Sequence, residues 1–250
     1  MGNVNKEISD FERWCQASWG TTVRNYKEII RTDIPVIRDC FDFDKISSPL
    51  KAHIAEKLIL ESCKRIGSFY ESGDVTWYIR SFGRELRGDD VDFAGRRIQP
   101  LKAALLLIAH SQFSSALPLD REDFHHILAG GGAMSAMYLL AQLEFLYRKK
   151  GRYLKEDGTI KYTIPEQLCK KAELKANSKR VNRIEQAFIL YLYRNTTSVG
   201  QRFRTLEKKL CITERFKNIR NHVMHGELPD PFVEGRFFGL LIAMLYYGDS

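Results

Sequence analysis

Thr213-Glu214-Arg215-Phe216-Lys217-Asn218-Ile219-Arg220-Asn221-His222-Val223-Met224-His225-Gly226 is the stretch on which the reading of this chain turns. Apolar residues return through it at helical spacing, and a glycine closes it. Thr213 stands where a residue can cap a helix start. Pro229-Asp230-Pro231 then turns the chain into a closing apolar helix, Phe232–Tyr247. Upstream, the same spacing predicts helices over Val199–Leu210, Val181–Tyr193 and Ala133–Lys150, with a short one over Glu166–Ala176. The first half reads in the same way, with helices over Ser9–Arg31, Ser48–Ser72, Val75–Arg87 and Gln99–Leu117. Strand-like alternation is scarce. The expected fold is all-α: an antiparallel helical bundle in the C-terminal half, preceded by an additional helical region. Pro118-Leu119-Asp120 marks the boundary and divides the chain into 1–117 and 118–250. Asp120-Arg121-Glu122-Asp123 starts a short helix with acidic residues at its N-terminal end, where the dipole favours them. Gly130-Gly131-Gly132 is expected to break it.

At 250 residues with 44% hydrophobic and 12% aromatic residues, the chain can bury a sizeable core and is not disordered as a whole. Its net charge of +8 is unevenly spread. From Arg148 to Arg220 there are 20 Lys/Arg against 7 Asp/Glu, so the remainder is net acidic. A basic field of that size favours a polyanion such as nucleic acid over a merely solvated face. Candidate nucleic-acid contacts are Arg148, Lys149, Lys150, Arg152, Lys179, Arg180, Arg183 and Lys217. Tyr147, Tyr153, Tyr162, Tyr191 and Tyr193 are interleaved with them and are of the type that stacks unpaired bases, although Tyr191 and Tyr193 also suit the bundle interior. The five cysteines are scattered without a Cys-x-x-Cys, which argues against a zinc ribbon or disulfide framework and suits a reducing cytosol. The N-terminus carries neither a myristoylation pattern nor a signal-peptide apolar run, and no apolar stretch is long enough to span a bilayer. The expectation is a soluble, cytoplasmic protein with no membrane association.

The chemistry lies in Arg220, Asn221 and His225. Arginine holds phosphate as a planar fork that keeps its charge. Histidine gives and takes protons near neutral pH. A fixed cation beside a proton shuttle is what phosphodiester cleavage without a metal needs. Near the end of a helix, His225 meets a partial negative charge that favours the imidazolium, the form a general acid uses. On an ideal helix Asn221 and His225 share a face, whereas Arg220 and His225 are about 140° apart. Two copies about a two-fold axis would bring the set together in one shared cleft. His222, three residues before His225, is either a second proton carrier or an ordinary surface residue. The plain structural alternative has Arg220 capping a carbonyl or pairing with Glu227, and His225 as a helix-end histidine.

Arg220-Asn221-x-x-x-His225, followed by Gly226, resembles the Arg-Asn-x-x-x-His signature of the HEPN superfamily, and the likeness covers at most about the last half of the chain. HEPN domains are helical bundles with the motif at the end of the penultimate long helix, many of them RNA-cutting toxins or defence effectors. The resemblance implies a metal-independent endoribonuclease that leaves 2′,3′-cyclic phosphate ends, with catalytic Arg220, Asn221 and His225 and accessory His222. It also implies a homodimer with a composite active site, RNA (tRNA or mRNA) as substrate, and an antitoxin or sensor partner in a bacterial toxin or antiviral setting. The alternative is a non-catalytic HEPN-like dimerisation or nucleic-acid-binding module. No cofactor and no metal are expected. His125 and His126 point about 100° apart on a helix and seldom bind one metal together. Asp42/Asp44 and Asp89/Asp90/Asp92 read as solvated loop. The triple glycine fits no phosphate-loop pattern and reads as a flexible turn or a place of close helix packing.

Overall fold

The computed structural model describes residues 2–20, 37–64, 73–86, 98–109, 121–151, 183–225, 227 and 230–248. Among them the chain is all-helical, without a strand. The helices are α1 (Gly2–Gly20), α2 (Ile37–Cys40), α3 (Ser48–Lys64), α4 (Gly73–Glu85), α5 (Gln99–Ala109), α6 (Arg121–Lys150), α7 (Ile184–Arg194), α8 (Ser198–Leu210), α9 (Ile212–Met224) and α10 (Pro231–Tyr247). No helix among the described residues is long and apolar enough to cross a membrane.

α10 is the element around which the others are arranged. Every residue from Gly235 to Leu245 is buried, so the helix is covered on all sides. It packs mainly against α6 and α3, and also against α4 and α5. Its start is well specified. Pro231 occupies the first turn, where its missing N–H is not needed, and the Asp230 carboxylate accepts from the N–H groups of Phe232 and Val233 at 3.0 Å. Arg236 is buried within it and donates from Nε to the Ile108 carbonyl at 3.0 Å, satisfying an orphan acceptor at the end of α5. Side chains from both sides of residue 118 belong to one buried cluster, from Phe11 to Tyr247.

The triple glycine does not break the chain. α6 runs unbroken through it from Arg121 to Lys150, where a short helix and a stop were expected. A methyl group on Gly131 would lie 3.0 Å from Leu107 Cδ2, and one on Gly132 would lie 2.9 Å from the Phe232 ring. Gly235 on α10 faces Ile108 more closely still. These glycines mark close helix approach: neighbours fill the space that side chains would take, and that packing offsets the poor helix propensity of glycine.

Other boundaries shift by a few residues. α1 begins at Gly2, upstream of the expected Ser9. The expected Glu166–Ala176 helix lies outside the described residues. Thr213 does not cap α9: Cys211 occupies that position in the left-handed region (φ 49°), and the Thr213 N–H donates to the Glu207 carboxylate at 3.0 Å. An aromatic core joins α6 to α10 through Tyr147, Phe188, Tyr191, Phe203, Phe216, Phe237 and Phe238. Tyr147 and Tyr191 are fully buried there, so neither presents a ring to bases. Tyr193 is exposed, and Tyr153 and Tyr162 lie outside the described residues.

Candidate functional site

α9 is built from a simple pattern. Ile212, Phe216 and Ile219 are buried and Val223 is half-buried, which places them on one face at i, i+4, i+7 and i+11. Lys217, Asn218, Asn221 and His222 are exposed. The buried stripe fixes which way the rest of the helix looks.

A polar clamp holds α9 onto α10. Arg215 donates to both carboxylate oxygens of Glu234, from Nη2 at 3.0 Å and from Nε at 3.1 Å. Its guanidinium lies over the Phe237 ring, 4.0 Å from the centroid, and Nη1 is 3.9 Å from Cys63 Sγ on α3. Burial pushes the Glu234 carboxyl above the usual carboxylate range, and the Arg215 charge opposes that shift. Sequence spacing gave no sign of this pair. Arg215 read simply as part of a basic run.

The C-terminal end of α9 presents the chemistry-bearing residues. The His225 N–H donates to the carbonyls of Asn221 and His222, both at 3.1 Å, and the Glu227 N–H donates to the His222 carbonyl at 2.7 Å. These bonds close the helix with His225 as its C-terminal cap (φ −96°, ψ 8°). Gly226, expected to end it, lies outside the described residues. Asn221 and His225 are exposed and Arg220 is half-buried. Among the described residues, no hydrogen bond or ion pair reaches the side chain of Arg220, Asn221 or His225. Their neighbours differ. Lys217 pairs with Glu214 at 3.3 Å, and His222 Nδ1 lies 3.3 Å from Glu227 Oε2. Glu227, the partner considered for Arg220, sits against His222.

The expected basic surface is only partly present. Lys149 and Arg183 are exposed. Arg148 is buried and its guanidinium pairs with Glu144 one turn earlier, so it cannot hold RNA backbone from that position. Lys150 turns inward and donates to the Leu245 carbonyl at 3.3 Å; burial, helped by the Lys149 charge, pulls its amine down to about 8. Arg152, Lys179 and Arg180 lie outside the described residues.

Among the described residues, no three His, Cys, Asp or Glu side chains group as a metal site. Asp42 pairs with Lys45 at 2.8 Å. The side chains of His125 and His126, and the acidic run Asp89/Asp90/Asp92, lie outside the described residues. A cleft of about 770 Å³ lies elsewhere, between residues 38–44 and α4, with Arg38, Trp77 and Arg84 among its lining. Its charges are of both signs: Arg38 pairs with Asp39 within the lining, while Asp42 and Glu85 pair with Lys45 and Lys51.

Compared with protein-family models, curated proteins and solved structures, the chain matches none.

Proposed function

We propose that this protein is a metal-independent endoribonuclease of the HEPN type, acting in the cytoplasm as a bacterial toxin or antiviral effector. The observation that carries the reading is the end of α9. Among the described residues, Arg220, Asn221 and His225 stand there without a partner, while Arg215, Lys217 and His222 on the same helix are paired. A half-buried cation with an exposed amide and imidazole, set within six residues, is available to a phosphodiester.

The reaction follows from these groups. The ribose 2′-oxygen attacks phosphorus while an imidazole takes its proton. The bond from phosphorus to the 5′-oxygen breaks, and an imidazolium protonates that leaving oxygen. Arg220 holds the phosphate and stabilises the extra charge of the pentacoordinate transition state. Asn221 orients the phosphate or the ring. One helix separates Arg220 from His225 by about 140°, so the reading includes a homodimer in which facing copies of α9 form a composite site. RNA, as tRNA or mRNA, is the substrate, and an antitoxin or sensor restrains the enzyme.

The test uses total tRNA in EDTA with the wild type, His225→Ala and Arg220→Ala. Wild type should leave 2′,3′-cyclic phosphate or 3′-phosphate ends and spare DNA. Each variant should cut at least ~100-fold more slowly while still binding RNA. A wild type that binds RNA and cuts none overturns the enzyme reading in favour of the non-catalytic module. Cleavage that survives in both variants places the chemistry elsewhere.

A further inference from the structure

Three helices distant in sequence meet at one histidine. His53 lies on α3 with 13% of its side chain exposed. Its Nε2 is hydrogen-bonded to the Glu12 carboxylate of α1. Its Nδ1 lies 3.3 Å from Nη1 of Arg202 on α8, and the same Nη1 is 3.3 Å from Glu56 Oε2. Lys57 holds the other Glu12 oxygen at 2.9 Å, and the Phe11 ring meets the imidazole edge-on. The charged groups facing His53 are therefore Glu12 from α1, Glu56 from α3 and Arg202 from α8. Among the described residues, α4 and α10, the other helices packed on α3, bring no charged group to it.

The contacts fix the protonation state. A guanidinium only donates, so Nδ1 must accept. The ring proton then sits on Nε2 and is donated to Glu12. Only the neutral Nε2–H tautomer satisfies both neighbours. A second proton on Nδ1 would set N–H against N–H. Its nearest acceptor would be Glu56 Oε2, 3.7 Å away on the same helix. Protonation therefore removes the acceptor that ties α8 to His53 and redirects the ring to α3 itself.

The rest of α8 does not depend on this ring. Arg204 donates to the Leu192 carbonyl from Nε and to the Asn195 carbonyl from Nη2, both at 2.9 Å, and so ties α8 to α7 at any pH. α8 meets α3 less extensively than α10 does. We propose that His53 is a proton-operated latch: neutral, it fastens α8 to α1 and α3; protonated, it leaves Arg202 of α8 held by Glu56 alone. Burial lowers the His53 pKa, and the Arg202 charge adds to that against the opposing pull of Glu12, so the latch is closed at neutral pH and opens on acidification below the ordinary histidine range. The latch stands on its own geometry and does not depend on the nuclease reading.

Hydrogen–deuterium exchange of the full chain at pH 7.5 and 5.5 tests it, with protection corrected for the intrinsic rates. Peptides within 198–210 of the wild type should lose protection severalfold at the lower pH. Peptides within 99–109 should not change with them. His53→Gln supplies an amide that donates to Glu12 and accepts from Arg202 without titrating, so its α8 should keep protection at both pH values. Loss of protection in His53→Gln equal to the wild type, or none in the wild type, overturns the proposal. If His53→Gln does not fold, an NMR titration of the His53 ring in wild type and Arg202→Met decides. Removing the guanidinium should move the ring's titration to higher pH, and an unmoved titration overturns the latch.

Discussion

A single buried carboxylate bears on stability in the direction opposite to His53. Asp74, in the first turn of α4, accepts the Ile37 N–H at 2.6 Å and so ties α2 to α4. Burial pushes its pKa up to about 6, against the opposing hydrogen bonds from the Ile37 and Arg38 backbone. Above that value the folded protein must hold a desolvated carboxylate. Between roughly pH 4 and 6 the folded state binds more protons than the unfolded one, so this group's contribution to stability falls as pH rises. Asp74→Asn should remove that slope, with urea midpoints at pH 4.5 and 6.5 closer together than in the wild type. His53 has the other sign: its pKa is lowered on folding, so its contribution is present above about 6.5 and is lost as pH falls below it. A second residue-scale expectation concerns Arg215. Replacing it with Met leaves the Glu234 carboxylate without its bidentate partner and should lower stability by roughly 1–3 kcal/mol in urea titrations. A loss near zero would mean that solvent already satisfies Glu234.

Among the elements, α6 and α10 separate what the sequence could disclose from what it could not. The amphipathic spacing of α9 and the Pro-Asp-Pro entry into α10 were legible because both are local: one is a period, the other a cap. Gly130-Gly131-Gly132 was not, because a glycine that bends a chain and a glycine that admits a neighbour look alike until the neighbour is known. Here Leu107 and Phe232, one from each side in sequence, supply the answer. The distinction can be measured. A Cβ at Gly130 meets nothing within 4 Å, so Gly130→Ala should raise stability by about 0.5–1 kcal/mol through helix propensity. Gly235→Ala should lower it by roughly 1–3 kcal/mol, because the methyl collides with Ile108 in a filled core. Equal effects of the two substitutions would contradict close packing. The Cys211 junction and the His53 cluster were equally illegible, since the partners of His53 lie 41 and 149 residues away.

For the whole molecule, helical spacing correctly placed the chain among all-helical proteins, while the charge count overstated the basic surface of the described residues. Several of the cations between Arg148 and Arg220 are internal fasteners. Arg148 pairs with Glu144, Lys150 bonds the Leu245 carbonyl, Arg194 the Gly151 carbonyl at 3.2 Å, and Arg204 two carbonyls of the α7–α8 turn. A charge count cannot separate a solvated lysine from one that closes a helix end. Under the proposed function, Arg148→Met should leave RNA affinity unchanged and lower stability. Lys149→Ala and Lys217→Ala should each weaken binding and reduce the slope of log K against log salt by about 0.7. Slopes untouched by either lysine would move the RNA path to another face.

α10 also dictates an order of events at synthesis. The ribosome delivers α3, α4, α5 and α6 before the helix that all four pack against. Until Pro231–Tyr247 emerges, those helices carry apolar faces with nothing between them, a state prone to mispairing and aggregation. The nascent chain is thus committed late, and any pause between α6 and α10 lengthens the time that it depends on chaperones.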